Sequence, residues 1–502
     1  MNPLKKLAGQ TVIYGVSTIL GRLLNYLLVP FYTDVFQPGE YGVVTDFYAY
    51  VAFFNVLYLF GLETTYFRLA GKTPSEQAKA FNQVQTLVIL NAILITSVLV
   101  FFATPICELL QYPGQERFIY WLAAVMMIDA IVAIPFARLR LQGKSRRFAL
   151  TKLFNIAVNI SLNLIFILWL PAICADGCGD WFLVNFQSGN DPWVGYVFLS
   201  NLIANALFLL LLGDVLLQFR PVIAADRLKF MLSYAIPIMF LGLAGVTNEM
   251  LSRAMLKYRL PENFYEGLSS LGALGVFGAC YKLSVFMTLA IQAFKYAAEP
   301  FFFSKAADRD SPELFAKVMH GFVIFTAMLM MAVIVNIGPI GTLFLRSEIY
   351  RTGLDVVPWL LLGGLFLGIY YNLSVWFKLT DRTQYGAYIS GAGAVITIAL
   401  NWLLIPAYGY MASALITAGS YFVMCWLSYS FGQRYFRVPY QTVKGLVYIF
   451  TIFLVSLALY YQPWVTGFWL RLVLNNTVWL LALLTVLRIE NVSLKGLLRM
   501  KP

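Results

Sequence analysis

A chain of 502 residues that is 60% hydrophobic, 16% aromatic and only 12% charged cannot hide its apolar atoms in one or two aqueous cores. That composition excludes a soluble globular protein, and a disordered one with it. Five cysteines and one histidine leave little material for a zinc cluster or a haem site, so no metal, cofactor or catalytic group is expected, and the net charge of +12 must be located before it implies a partner.

A helix needs about 20 apolar residues to cross a bilayer's hydrocarbon. With that ruler the chain holds fourteen spans, at 11–32, 42–62, 81–104, 117–137, 148–170, 193–217, 230–251, 271–293, 317–338, 354–376, 386–405, 409–431, 442–461 and 464–487. The runs are too long and too uniformly apolar for barrel strands. The expected fold is an all-α integral membrane protein of 14 transmembrane helices. The opening MNPLKKLAGQ runs straight into the first span without a cleavage pattern, so no signal peptide is expected.

With the N-terminus inside, 27 of the 36 Lys and Arg residues fall in inward-facing segments and seven in outward-facing ones. Arg22 and Lys282 remain, inside spans. The split places both termini in the cytoplasm. The basic charge is then mostly a topology signal; nucleic acid is not a partner, and the run from Arg138 to Arg147 reads as an anchor to anionic lipid.

Connections are short, the longest about 20 residues, which leaves no room for the external catalytic domain of a membrane glycosyltransferase or ligase. A transporter, channel or scaffold remains. The chain also matches itself. At an offset of 238, Leu141-Gln-Gly-Lys-Ser lies on Leu379-Thr-Asp-Arg-Thr and Asn163-Leu-Ile-Phe-Ile on Asn401-Trp-Leu-Leu-Ile; at 233, Tyr41-Gly-Val-Val-Thr-Asp-Phe-Tyr lies on Leu274-Gly-Val-Phe-Gly-Ala-Cys-Tyr. The expected organisation is an N-lobe at 1–225 (spans 1–6), a C-lobe at 226–438 (spans 7–12), and spans 13–14 with a cytoplasmic tail at 439–502. The repeats are parallel, because both halves start on the same side.

Gly15-Val-Ser-Thr-Ile-Leu-Gly-Arg-Leu-Leu-Asn-Tyr-Leu-Leu-Val-Pro-Phe-Tyr-Thr followed by Gln37-Pro-Gly-Glu-Tyr-Gly resembles the first span and turn of polysaccharide-transporter (O-antigen) flippases, in the multidrug/oligosaccharidyl-lipid/polysaccharide (MOP) exporter superfamily. Gly275-Val-Phe-Gly-Ala-Cys-Tyr-Lys-Leu and Ala297-Ala-Glu-Pro-Phe-Phe-Phe-Ser-Lys resemble its eighth span and the connection after it. The resemblance implies two pseudo-symmetric six-helix lobes around a central cavity, plus two C-terminal helices, in a bacterial inner membrane. It also implies a cargo, undecaprenyl-diphosphate-linked oligosaccharide (an O-antigen, capsule or exopolysaccharide unit), with polysaccharide assembly machinery as a further partner.

Moving a diphosphate through hydrocarbon calls for a wet, cationic cleft and no nucleophile. Arg22, amid Leu20, Leu23 and Leu24, is the first candidate, against a structural ion pair with Glu63 or Asp129. Lys282 is the second; lipid II flippases, which the chain resembles more distantly, carry a substrate-facing arginine in that slot. Their first-span arginines align instead with Thr18 and Leu24, which counts against lipid II as cargo. Arg253, followed by Lys257 and Arg259, opposes the orientation rule and reads as an external exit site; Lys295 reads as an entry-side phosphate contact. Coupling to a proton or sodium ion would run through an intramembrane acid, Asp129, Glu63 or Glu249, although Glu249 and Arg253 are also spaced for a local ion pair. Asn25, Tyr26, Asn55, Asn159, Asn163, Gln292 and Asn372 suit a sugar-lined cavity without specifying one. Cys174 and Cys178 face an oxidising compartment in this topology, where a structural disulfide is one outcome. A multidrug exporter of the same superfamily is the rival; a drug cation would want negative charge where Arg22 and Lys282 stand.

Overall fold

The computed structural model describes residues 19–21, 23–24, 26–71, 73–169, 194–223, 225–305, 310–380, 382–465 and 467–491, without the side chains of 225, 226, 296, 297, 299, 300, 303 and 304. Their regular structure is helical, apart from one isolated bridge between Tyr265 and Leu268. Eleven helices among them are long and apolar enough to cross a membrane, or twelve if one bent pair counts as a span. The chain is a multi-pass membrane protein.

The residues group into two compact units, Met1–Gly275 and Val276–Pro502. The first holds α1 (Leu28–Val35), α2 (Pro38–Leu59), α3 (Leu62–Leu69), α4 (Pro74–Phe101), α5 (Ala103–Leu109), α6 (Glu116–Leu141), α7 (Ser145–Leu164, prolonged by a π turn, Ile165–Trp169), α8 (Val194–Leu211), α9 (Gly213–Leu216) and α10 (Ala225–Arg259). Helix α6 is its hub, packed on α4, α8, α2 and α7, while α10 lies along α2 and α3. Span 7, assigned by sequence to the C-lobe at 226–438, thus packs with the first unit.

Helix α11 (Ser270–Lys282) begins in the first unit and ends in the second. The second continues with α12 (Val285–Lys305), α13 (Ser311–Val335), α14 (Ile337–Phe344), α15 (Glu348–Arg351), α16 (Val357–Leu373), α17 (Val375–Leu379), α18 (Gln384–Tyr435), α19 (Thr442–Tyr461) and α20 (Phe468–Ile489). Helix α13 contacts α12, α16, α19 and α20.

Expected spans 2–7, 9, 10, 13 and 14 each meet one helix or broken helix, and span 8 is the bent pair α11 and α12. Ten of the 22 positions of span 1, among them Arg22, lie outside the described residues. Spans 11 and 12 share α18, whose 52 residues would reach roughly 78 Å if straight, more than twice a bilayer core. The chain reverses at Gly409, with φ 56° and ψ −141°, a conformation that side chains rarely tolerate. Ser413 Oγ donates to Asn401 Oδ1 at 2.9 Å, and Thr397 Oγ1 to Ser420 Oγ at 3.1 Å. Residues 12 and 23 apart meet only if the helix folds back on itself.

Helix breaks in hydrocarbon free backbone groups that water cannot rescue. Pro135, inside α6, has no N–H for the carbonyl of Ile131, and Gln85 Nε2 from α4 supplies the missing donor at 2.9 Å. Helix α2 ends at Phe60 and Gly61, both at positive φ, and Asn91 Nδ2 donates to the carbonyls of Leu57 and Tyr58 at 2.8 and 2.9 Å. The start of α4 is closed by the Thr73–Glu76 capping box. At the far end of the chain, Glu490 Oε1 accepts from Lys444 at 2.8 Å and from Tyr448, while Oε2 lies 3.1 Å from His320 Nε2. Burial alone would raise the Glu490 carboxyl; the bonds from Lys444, Tyr448 and His320 outweigh it and hold the group at about 2. This cluster ties the end of α20 to α13 and the start of α19.

Two backbones touch where α11 crosses α2. A Cβ on Gly42 would lie 2.1 Å from the carbonyl oxygen of Leu271, and one on Gly275 1.9 Å from that of Pro38. The contacts are reciprocal: Leu271 and Gly275 are Pro38 and Gly42 shifted by 233 residues, the offset of the internal match. Backbone oxygens cannot move aside as a flexible side chain can. Gly42→Val and Gly275→Val are therefore expected to abolish the monodisperse species in detergent size-exclusion profiles, whereas Gly391→Ala, with open space around it, keeps the wild-type melting temperature. Wild-type melting of both valine variants would refute the crossing.

Candidate functional site

Two clusters of charged and polar side chains stand out in the first unit. Near the end of α10, Lys257 and Asp46 form an ion pair of 3.0 Å with side chains 4% and 0% exposed. The same Asp46 oxygen accepts from the Tyr112 hydroxyl at 2.9 Å, the Lys257 ammonium also donates to the Leu110 carbonyl, and it stands 3.6 Å from the centre of the Tyr112 ring. Tyr50 and Tyr258 share a hydrogen bond of 3.1 Å beside it. A lysine and a carboxylate taken this far from water persist only when paired. The pair fastens the end of α10 to α2 and to the segment after α5.

A polar seam runs along α7. Lys152, Asn155, Asn159 and Asn163 fall three or four residues apart on this helix, hence on one face. Asn155 Nδ2 donates to Asn205 Oδ1, and Asn205 Nδ2 to Asp129 Oδ1, both at 3.0 Å. Lys152 is close enough for its charge to act on Asp129, and its ammonium lies 4.4 and 4.9 Å from the ring centres of Phe136 and Phe208. Farther along, Asn201 Nδ2 donates to Tyr48 Oη at 2.8 Å, and the Tyr32 hydroxyl to Asn163 Oδ1 at 2.7 Å. A carboxylate bonded to amides, with an ammonium near enough to act on it, can take up a proton or hold a small cation, and can tie helices together.

In the second unit, Lys282 is the last residue of α11, half-buried, and the following helix α12 leaves at an angle of 47°. A helix broken at mid-span leaves carbonyls without intrahelical donors, and the negative end of its dipole favours a cation there. Lys295 is exposed on α12, its ammonium 4.7 Å from the ring centre of Tyr371.

The structure thus brings Asp129 together with Lys152, Asn155 and Asn205, and sets Lys282 at a break. Arg22, Asn25, Cys174 and Cys178 lie outside the described residues. Glu63 is bonded to Arg140, so one candidate coupling acid is engaged by a cation from the run read as a lipid anchor. That run is otherwise occupied as well: Arg138 lies over Phe81 at 4.7 Å, and Arg147 pairs with Asp214, whose carboxyl that hydrogen bond holds below its ordinary range. Arg253 is 9% exposed, with its Nη1 2.7 Å from Met250 Sδ; Glu249 is exposed. Sequence reasoning missed the Asp46–Lys257 pair and counted Lys152 as a connection cation. The three-and-four spacing of Lys152, Asn155, Asn159 and Asn163 was the available signal.

Removing one member of the buried pair strands the other. Asp46→Asn or Lys257→Met is expected to cost about 3–5 kcal/mol, while the double variant Asp46→Leu/Lys257→Met recovers most of it. A double-mutant cycle on melting in detergent reads the coupling; additive losses would mean that the pair contributes nothing.

The model described as "Polysaccharide biosynthesis protein" matches residues 35–175. No curated protein sequence matches the chain. A solved structure of the lipid II flippase MurJ, in its inward closed conformation, is similar over 95% of this chain and 99% of its own, with a TM-score of 0.71 and 15% identity. An inward-facing multidrug resistance MATE family transporter of the MOP superfamily follows at 0.60 and 13%, over 82% of this chain and 94% of its own. The Vibrio cholerae MATE transporter VcmN gives 0.54 and 16%, over 86% and 97%. The resemblance read from the sequence is borne out at this level: residues 35–175 match the polysaccharide biosynthesis model, and the fold is the one that MurJ and the MATE transporters share.

Proposed function

We propose that the protein is a flippase that carries an undecaprenyl-diphosphate-linked oligosaccharide, an O-antigen, capsule or exopolysaccharide unit, across the bacterial inner membrane by alternating access. The observation that carries this reading is Lys282 at the break of a membrane helix, a cation held at span depth where an anionic head group has use for one. The family description supports a polysaccharide cargo, and the MurJ fold supports a lipid-linked one.

Arg22 and Lys282 are the phosphate partners in this mechanism, Lys295 receives the diphosphate at entry, and Arg253 marks the exit. Guanidinium and ammonium groups replace the water that the phosphates lose, and no bond is made or broken. The protein is a transporter, not an enzyme. Its lipid tail substrate stays in hydrocarbon, so the cleft admits only the head group, and polysaccharide assembly proteins take the product.

Coupling runs through Asp129. It faces Lys152 and Asn205, so a proton that neutralises the carboxylate removes the partner of Lys152 and loosens the seam that joins α6, α7 and α8. A sodium ion would compete with Lys152 for the same oxygens.

Arg22→Ala and Lys282→Ala are expected to abolish surface polysaccharide in the native host at unchanged protein abundance, measured by polysaccharide gel and immunoblot. Normal polymer in both variants would sink the cationic mechanism. Asp129→Asn, in proteoliposomes under an imposed pH gradient, is expected to lose the gradient-dependent part of flipping at least tenfold; a preserved response would move coupling elsewhere.

A further inference from the structure

The second unit contains a cavity that none of the proposed transport residues touches. It has a volume of about 580 Å³ and lies between α13, α14, the turn at Leu354–Val356, the end of α19 and the start of α20. It sits at the opposite end of α19 from Lys444 and of α20 from Glu490, hence at the outer face in the topology set by the basic residues. Its polar wall is built from Asp355, Tyr460, Tyr461, Gln462, Arg471 and Asn475.

These groups hold one another in place. The Tyr460 hydroxyl donates to Asp355 Oδ1 at 2.9 Å, and Arg471 donates to the Tyr460 carbonyl. Gln462 and Asn475 are buried at 6% and 3% exposure; Gln462 Nε2 donates to Asn475 Oδ1 at 3.3 Å, and Asn475 Nδ2 to the Val335 carbonyl at 2.9 Å. Tyr461 stands at the rim, 54% exposed. Six polar or aromatic side chains are thus preorganised around an open volume at the end of a membrane span.

The chemistry selects a class of ligand. One carboxylate and one guanidinium leave the wall without net charge, which suits neither a bare diphosphate nor a metal ion. Planar carboxylate, guanidinium and amide groups pair with the adjacent hydroxyls of a sugar ring, and tyrosine faces take its C–H side. The volume lies within the roughly 300–1,000 Å³ of small-ligand pockets, room for a short oligosaccharide rather than one ring.

We propose that this cavity is a second, outward-facing glycan site, which takes the lipid-free sugar end of the cargo or of the growing polymer. The class of ligand and the side of the membrane rest on the flippase reading above. Because the site is distinct from the phosphate partners, it engages sugar rather than charge and favours departure of the head group from the cationic residues.

The test uses the full chain in nanodiscs of phosphatidylethanolamine and phosphatidylglycerol, probed with an array of lipid-free bacterial di- to tetrasaccharides. At least one glycan should be retained, with affinity reduced tenfold or more in Asp355→Asn and in Tyr461→Ala, two exposed positions where folding is not at stake, and unchanged in Lys282→Ala. A Thr342→Cys variant, at an exposed lining position, should be protected from maleimide by the retained glycan. No retention at millimolar glycan, or equal retention by both cavity variants, overturns the proposal. Protection by phosphatidylethanolamine and by no sugar also overturns it, making the pocket a lipid head-group site. The readout needs neither lipid nor diphosphate, so it can fail while the polysaccharide assay supports the flippase, and the reverse.

Discussion

Hydrocarbon offers no hydrogen bonds, so every polar group that the chain carries into the membrane must find its partner within the protein. This constraint accounts for more of the architecture than apolar packing does. Pro135 bends α6 and Gln85 from α4 answers the carbonyl it orphans; Phe60 and Gly61 end α2 and Asn91 answers the two carbonyls left behind. In both cases the side chain that repairs the break belongs to a neighbouring helix, so the break and the helix packing specify each other. Lys257 and Asp46 extend the rule from dipoles to full charges. None of these contacts needs to contribute much net stability relative to an apolar replacement. Their effect is to fix which helix lies beside which, something that lipid-like side chains do poorly on their own.

Where polar partners set neighbours, glycine sets distance. The crossing of α2 and α11 brings carbonyl oxygens to the places where a Cβ would be on Gly42 and Gly275. Its reciprocity at an offset of 233 gives the internal repeat a physical counterpart: the matched residues are alike in sequence and perform the same task against each other. A second use of glycine is directional. Gly409 turns α18 back on itself, and the Asn401–Ser413 and Thr397–Ser420 bonds hold the two arms together after the turn.

Much of this was legible in the sequence because hydropathy over twenty residues is a robust signal. The span positions and the repeat follow from apolar runs and a few glycines, and Lys282 stands out as a cation inside span 8, but the break beside it does not. The polar pairings did not. Asp46 and Lys257 are 211 residues apart, and nothing local in either segment announces the other. Lys152 was misread because it stands near the end of an apolar run, where a basic residue ordinarily faces the cytoplasmic interface; its asparagine neighbours at helical spacing carried the correction. Glu63 reads from the sequence as a coupling acid or an ion-pair partner of Arg22, because the cation bonded to it, Arg140, looks like part of a lipid-binding run. Orientation rules count charges by position, and a charge tied to a partner from another helix looks the same to such a count.

Charge within the spans is supported in more than one way. Asp46 and Lys257 are closed off by each other and by Tyr112, a geometry suited to holding two helices together. Lys282 is placed differently, at the carbonyl end of a half-helix whose dipole already bears partial negative charge. Such an end lowers the cost of keeping an ammonium at depth. The break in span 8 therefore gives the kink a role beyond shape, because a continuous helix offers no carbonyl end at that depth.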